Sequence, residues 1–225
     1  MFVLPCKYVK ESPIKHCVDS IIEYHPKEKI MIVDSFSDDD SYLSTFKNYT
    51  NVEVFDRKNN QYPVGALFKV MQDCPDEDTY VLIHDTSKFN SSISSYLNDD
   101  SESYGFWCFY DRLTNLLHMP EIVEYIIDIL RDTKYNIPKI DELFWGVPFH
   151  HCIIKNSMKT KIINSGLLEK FYLNKKVHDN GWERLLGIIF SQEGFCPEQY
   201  NIAGDNTTDT RRINKFFEKH YLGRS

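Results

Sequence analysis

Glycine is scarce in this chain, 9 among 225 residues, and a flexible low-complexity protein is excluded with it. No run of about 18 apolar residues occurs, so the sequence predicts no transmembrane helix. The six cysteines (Cys6, Cys17, Cys74, Cys108, Cys152 and Cys196) never form a CxxC pair. That spacing excludes zinc ribbons and dithiol redox motifs and leads us to expect reduced thiols in a reducing compartment. Positive charge is in deficit, with 26 basic against 33 acidic residues and a net charge of −7. A nonspecific nucleic-acid binder needs a basic footprint, so nucleic acid is not an expected partner. The opening Met-Phe-Val-Leu-Pro-Cys-Lys is too short for a signal peptide, and a cytoplasmic setting is expected.

What is present is an alternation of short apolar runs and amphipathic stretches. Residues 2–4 suit a first buried strand. Ser12 then offers an N-cap before Pro13, and Ile14, Cys17, Val18, Ile21 and Ile22 follow at helical spacing. Residues 29–34 form a second strand candidate, 42–49 a short helix and 52–55 a third strand. A helix starting at Pro63 turns Val64, Leu67, Phe68 and Met71 inward, and residues 80–83 make a fourth strand. Continuous rather than alternating apolar strands imply burial on both faces, as in an α/β parallel sheet wrapped by helices. The polar segment 87–103 reads as a surface loop.

The second half is less regular. The spacing predicts an aromatic strand over 104–110 and a helix over 120–131 with Ile122, Val123, Ile126, Ile129 and Leu130 inward. Strand and loop are expected over 143–154, and helices over 159–171 and 181–192. A polar tail, 201–209, precedes a terminal helix over 211–220. With no linker or repeat, one domain spanning 1–225 is expected, with halves at 1–110 and 111–225.

The most informative stretch is 79–89, where an apolar strand ends in His84-Asp85-Thr86. Ligands gather at the carboxyl ends of parallel strands, and these three polar groups suit a divalent cation and the phosphates it neutralises. Asp34 and Ser35 end the second strand in the same way, and Pro5, Cys6 and Lys7 end the first. Asn60, before the Pro63 helix, and Gly65, in its first turn, complete the candidate edge. A turn or capping role accounts for several of these residues equally well. Trp107, Trp145 and Phe149 could offer a stacking surface or simply pack the core, and His150 and His151 lie beside them.

Two segments carry a family resemblance: Cys74-Pro75-Asp76-Glu77-Asp78-Thr79-Tyr80 leading to Ile83-His84-Asp85-Thr86, and Glu183-Arg184-Leu185-Leu186-Gly187-Ile188. Together they resemble small bacterial and viral GT-A glycosyltransferases, including capsid-decorating ones, over most of residues 1–200. The resemblance implies a GT-A-like three-layer α/β/α fold with a mostly parallel central sheet and an irregular acceptor-side half. It also implies a nucleotide-diphosphate sugar as donor, a glycan or glycoprotein acceptor, and Mn²⁺ or Mg²⁺ as cofactor, in the host cytoplasm if the chain is viral.

Asp85 would be the metal or diphosphate ligand, with His84 as a second metal ligand, although the usual Asp-x-Asp is reduced here to one aspartate. Glu183 is the expected base or acceptor-orienting carboxylate, followed by Asp179. Asn180 and Glu183 also have capping-box spacing, which is a competing structural account. A sugar nucleotidyltransferase is one alternative, disfavoured because no glycine lies in 2–12. A catalytically inactive glycan-binding protein is the other.

Overall fold

The computed structural model describes residues 1–7, 13–39, 41–56, 61–99, 103–195, 197–202 and 216–219. It divides into two compact units, Met1–Ser101 with Thr208–Ser225, and Glu102–Thr207. Ser12 and Asn60, and most of the expected tail and terminal helix, lie outside the described residues.

The first unit is built on four parallel strands, β1 (Phe2–Cys6), β2 (Ile30–Asp34), β3 (Val52–Asp56) and β4 (Thr79–Leu82). Helix α1 (Ile14–Tyr24) joins β1 to β2, and α2 (Tyr62–Asp73) joins β3 to β4. The spatial order is β3-β2-β1-β4. The chain winds outward from β1 to β3 and then crosses back to pair β4 with the other side of β1. Right-handed crossovers in opposite directions put α1 and α2 on opposite faces of the sheet. Every residue of β1 and β2 is buried, as continuous apolar strands require. The expected inward face of α2, Val64, Leu67, Phe68 and Met71, is observed; on α1 Ile14, Cys17, Val18 and Ile21 are buried and Ile22 is half-buried.

The segment 87–103, expected to be loop, is partly ordered. It holds β5 (Ser87–Phe89) and one helical turn, α3 (Ser94–Leu97). The closing strand Phe217–Lys219 pairs antiparallel with β5, where a helix over 211–220 was expected.

The second unit opens with β6 (Ser103–Gly105) and β7 (Phe109–Asp111), which replace the single strand expected over 104–110. A bend at Phe106 and Trp107, both fully buried, divides them. Then come α4 (Pro120–Leu130), β8 (Phe144–Gly146), β9 (Cys152–Lys155), α5 (Asn156–Ile163) and α6 (Leu167–Lys170). The helix expected over 159–171 is thus two helices, split where Gly166 takes a left-handed φ of 81°. Long helix α7 (Lys176–Gln192) and the short α8 (Pro197–Tyr200) complete the unit. Strands β7 and β8 pair antiparallel, as do β6 and β9.

Helix α7 begins five residues before the expected Gly181, so Asn180 is interior and caps nothing. The capping-box account of Glu183 is therefore overturned. The buried stripe is as expected: Trp182, Leu185, Leu186, Ile189 and Phe190. Helix and strand β8 meet backbone to backbone. A Cβ on Gly187 would lie 1.7 Å from the Trp145 carbonyl oxygen, and one on Gly146 would lie 2.9 Å from the Glu183 carbonyl oxygen. Neither obstacle can rotate aside. Gly187→Ala is expected to destabilise the protein by on the order of 3 kcal/mol, or to prevent folding of the second unit. Urea unfolding would show this, and a midpoint equal to wild type would contradict the close approach.

Candidate functional site

The β3-β2-β1-β4 order makes the β1/β4 boundary a topological switch point, where the chains leaving the two strands part and open a crevice. Cys6 ends β1, and Ile83-His84-Asp85-Thr86 follows β4, so these residues flank that crevice. Cys6 stands in register with Asp34 at the end of β2. The sheet thereby gathers Cys6, Asp34 and Asp85, all buried, along one edge.

Hydrogen bonds tie this edge together. The Asp34 carboxylate accepts the Ser37 amide at 2.8 Å and the Tyr42 hydroxyl. The Cys6 carbonyl accepts the Ser35 amide at 2.7 Å. Burial first, and then Asp85, hold the Cys6 thiol well above the ordinary cysteine value, so it stays protonated and donates to Asp85. Burial, followed by Cys6, likewise raises the Tyr42 phenol. Cys17 on α1 donates to the His84 carbonyl at 3.7 Å and lies within electrostatic reach of Asp85. Beside Asp85 the hydroxyl oxygens of Thr86 and Ser87 are buried and, among the described residues, make no hydrogen bond. Two adjacent orphan hydroxyls are costly unless a polar ligand or water meets them.

The expected residues fall as follows. Pro5 and Cys6 are buried on β1 and Lys7 is exposed just beyond it, while Ser35 is half-buried after β2. Gly65 is buried in the first turn of α2, whose N-terminus lies at the carboxyl end of the sheet. Tyr42 was missed by the sequence reading. It sits eight residues beyond Asp34 in a short 3₁₀ turn, and no spacing rule marks it. Two residues on this edge hold left-handed backbone, Phe36 (φ 57°) and Tyr62 (φ 55°), and Phe36 is 50% exposed. Such strain in an aromatic residue is the kind stored at binding loops.

The second unit has its own polar centre. Asp179 and Glu183 stand one helical turn apart on α7, facing the turn 148–151. The Phe149 amide donates to Glu183 Oε1 at 2.7 Å, and the Val147 amide to the Glu183 carbonyl at 2.6 Å. His150 Nε2 lies 2.8 Å from the Asp179 carbonyl oxygen and 3.5 Å from its carboxylate, whose other oxygen is 3.0 Å from Lys176 Nζ. Phe149 and His150 are both left-handed, at φ 57° and 58°. Arg184, adjacent to Glu183, donates to Asp111 at 3.1 Å and to the Asn180 carbonyl at 3.0 Å, and covers the Phe109 ring. Trp107, Trp145, His150 and His151 are buried, which makes them core rather than open stacking surfaces, and Phe149 is half-buried. Among the described residues, no group of three or more His, Cys, Asp or Glu side chains could hold a metal ion.

Residues 2–86 match the family model described as glycosyl transferase family 2. The matched stretch starts at the first residue of β1, contains all four parallel strands and ends on Thr86. Over that stretch the chain is similar to glycosyl transferase family 2, and the sheet it spans is a mostly parallel α/β one. No curated protein matches the chain. Among solved structures, TarS from S. aureus is 8% identical with a TM-score of 0.43, covering 83% of this chain and 55% of that one. An active-site mutant of LgtC is 7% identical with a TM-score of 0.42, covering 81% and 70%. A putative glucose-1-phosphate thymidylyltransferase from Bacillus anthracis, solved with sucrose, is 16% identical with a TM-score of 0.42, covering 78% and 71%. The chain thus spans about half the length of the TarS structure.

Arg184→Met should cost about 2 kcal/mol in urea unfolding. That is less than breaking a fully buried pair, because Arg184 keeps some solvent contact. An unchanged midpoint would show that the Asp111 pair contributes nothing.

Proposed function

We propose that this protein transfers a sugar from a nucleotide-diphosphate sugar to a hydroxyl of a glycan or protein acceptor. The observation that carries the reading is the pair of orphan hydroxyls, Thr86 and Ser87, buried next to Asp85 at the switch point of a family 2 sheet. Diphosphate oxygens are acceptors to which such hydroxyls would donate. Nucleoside and ribose would lie along Pro5, Cys6, Lys7, Asp34 and Ser35, with Gly65 permitting close approach at the α2 N-terminus. Asn60, outside the described residues, belongs to the same proposed edge.

In the reaction the acceptor oxygen bonds to the anomeric carbon, the bond from that carbon to the β-phosphate oxygen breaks, and the nucleoside diphosphate leaves. The acceptor proton passes to a base. Lys7 and the strand-end donors would offset the charge that grows on the leaving group. Asp85, with His84, would hold a Mn²⁺ or Mg²⁺ ion, which would supply positive charge for the diphosphate. One carboxylate and one imidazole make a poor cage alone, so the ion would come with the donor. Free thiols at Cys6, Cys17, Cys74, Cys108 and Cys152 accord with a cytoplasmic setting.

On the acceptor side we assign Glu183, with Asp179 as the second carboxylate. Glu183 has two separable capacities, its charge and its acceptance of the Phe149 amide. Glu183→Gln keeps the acceptor oxygen and loses the charge, whereas Glu183→Ala loses both. As the base, Glu183→Gln should lower kcat by about 10²–10⁴-fold with Tm near wild type. Wild-type turnover in the Gln variant, with only the Ala variant impaired, would reduce Glu183 to positioning the 148–151 turn.

The donor reading is tested by thermal shift with UDP, GDP, CDP and dTDP, each with and without Mn²⁺. At least one nucleotide should raise Tm, and Mn²⁺ alone should not. Asp85→Ala should abolish the nucleotide shift and the transfer while leaving the far-ultraviolet circular dichroism intact. Failure of every nucleotide, or full activity in Asp85→Ala, would remove the assignment.

A further inference from the structure

The second unit contains a pocket that the transfer reading does not use. It has a volume of about 470 Å³ and lies between α4 and the start of α7, with Tyr125, Tyr172 and His178 among its walls. A volume of this size suits a small ligand.

The aromatic wall is rigidly built. Tyr125 and His178 stack in parallel, 4.2 Å apart with 1° between their planes. Tyr172 stands at 88° to both, at 5.1 and 5.2 Å. The Trp182 indole donates to the Tyr125 hydroxyl at 2.7 Å, which in turn donates to the Tyr172 carbonyl at 2.5 Å. This chain runs through the fully buried Trp182, so the wall is anchored in the core. Tyr172 itself remains 37% exposed.

The polar lining is mixed in sign. Glu121, Glu124 and Asp128 supply carboxylates, and Arg131 and Lys175 supply cations. Asp128 accepts from the Tyr172 hydroxyl at 3.2 Å and lies 3.7 Å from Arg131, while Glu121 lies 3.2 Å from Lys175. Glu124 is exposed and engages no described residue. Burial first, and then Lys175, hold His178 below the ordinary histidine value, so its imidazole is neutral at pH 7. Three negative and two positive groups nearly balance. A strong anion would meet three carboxylates, and a cation would meet Arg131 and Lys175. A ring with an apolar face and many hydroxyls matches both the exposed tyrosine and the alternating donors and acceptors.

We propose that this pocket binds a neutral pyranose, as a free sugar or as a terminal residue of a glycan. The site is independent of the strand-end donor edge, and its test contains no nucleotide, so either can fail without the other.

The probe is a panel of methyl glycosides of neutral hexoses, titrated against the full-length protein by saturation-transfer NMR. At least one should bind saturably, in the millimolar range. Tyr172→Ala should weaken it about tenfold, the scale of a lost stacking contact, and the double variant Glu124→Gln/Asp128→Asn by a similar factor. Tyr172→Ala retains the backbone carbonyl that Tyr125 uses, and a melting curve for each variant separates lost binding from lost folding. The proposal is overturned if no neutral hexoside saturates below about 50 mM. It is equally overturned if both folded variants bind as wild type does, or if methyl glucuronide or sialic acid binds more tightly than every neutral sugar.

Discussion

A parallel strand buried on both faces can present polar side chains only at its ends, and this constraint governs the first unit. The apolar runs of β1, β2 and β4 leave no room for a carboxylate until the strands finish, and at that point Cys6, Asp34 and Asp85 all appear. The strand order then decides which ends become neighbours. Because β4 returns to pair with β1, a residue near position 6 and one near position 85 come within hydrogen-bonding distance. Neither residue would be coupled to the other if β4 simply extended the β1-β2-β3 series. The stretch that matches the family 2 model ends at this same point, on Thr86.

The second unit solves a different problem. Its helix α7 lies so close to β8 that side chains are excluded at Gly146 and Gly187. The helix in turn carries the groups that stabilise the turn beyond β8. Glu183 accepts the Phe149 amide, and Asp179 meets His150, so two residues with unfavourable backbone are each held by a carboxylate-bearing residue one helical turn from the other. The segment Glu183-Arg184-Leu185-Leu186-Gly187-Ile188 thus has a structural meaning at five of its positions. Glu183 holds the turn, Arg184 the β7–β8 hairpin through Asp111, Leu185 and Leu186 the core, and Gly187 the approach to the strand.

Much of this was legible in the residues. The helical faces of α1, α2, α4 and α7 follow from apolar spacing, and the strand ends from abrupt changes in polarity. What escaped did so for identifiable reasons. Tyr42 reaches Asp34 through a 3₁₀ turn whose geometry has no periodic signature. The Asn180–Glu183 spacing mimicked a helix start because Asn174, Lys175 and Lys176, which flank the true one, carry no apolar periodicity. The break at Gly166 was signalled by Asn164-Ser165-Gly166, yet apolar residues on both sides sustained the helical pattern. The pairing of Phe217–Lys219 with β5 joins segments far apart in the chain, and local sequence does not encode such a partnership.

The turn at Phe149 and His150 makes ordinary substitution intuition misleading here. Two bulky residues occupy backbone that glycine or asparagine would accept at no cost. A mutational scan would therefore find glycine well tolerated at an apparently hydrophobic position, and valine or isoleucine, the usual conservative exchanges for phenylalanine, rejected.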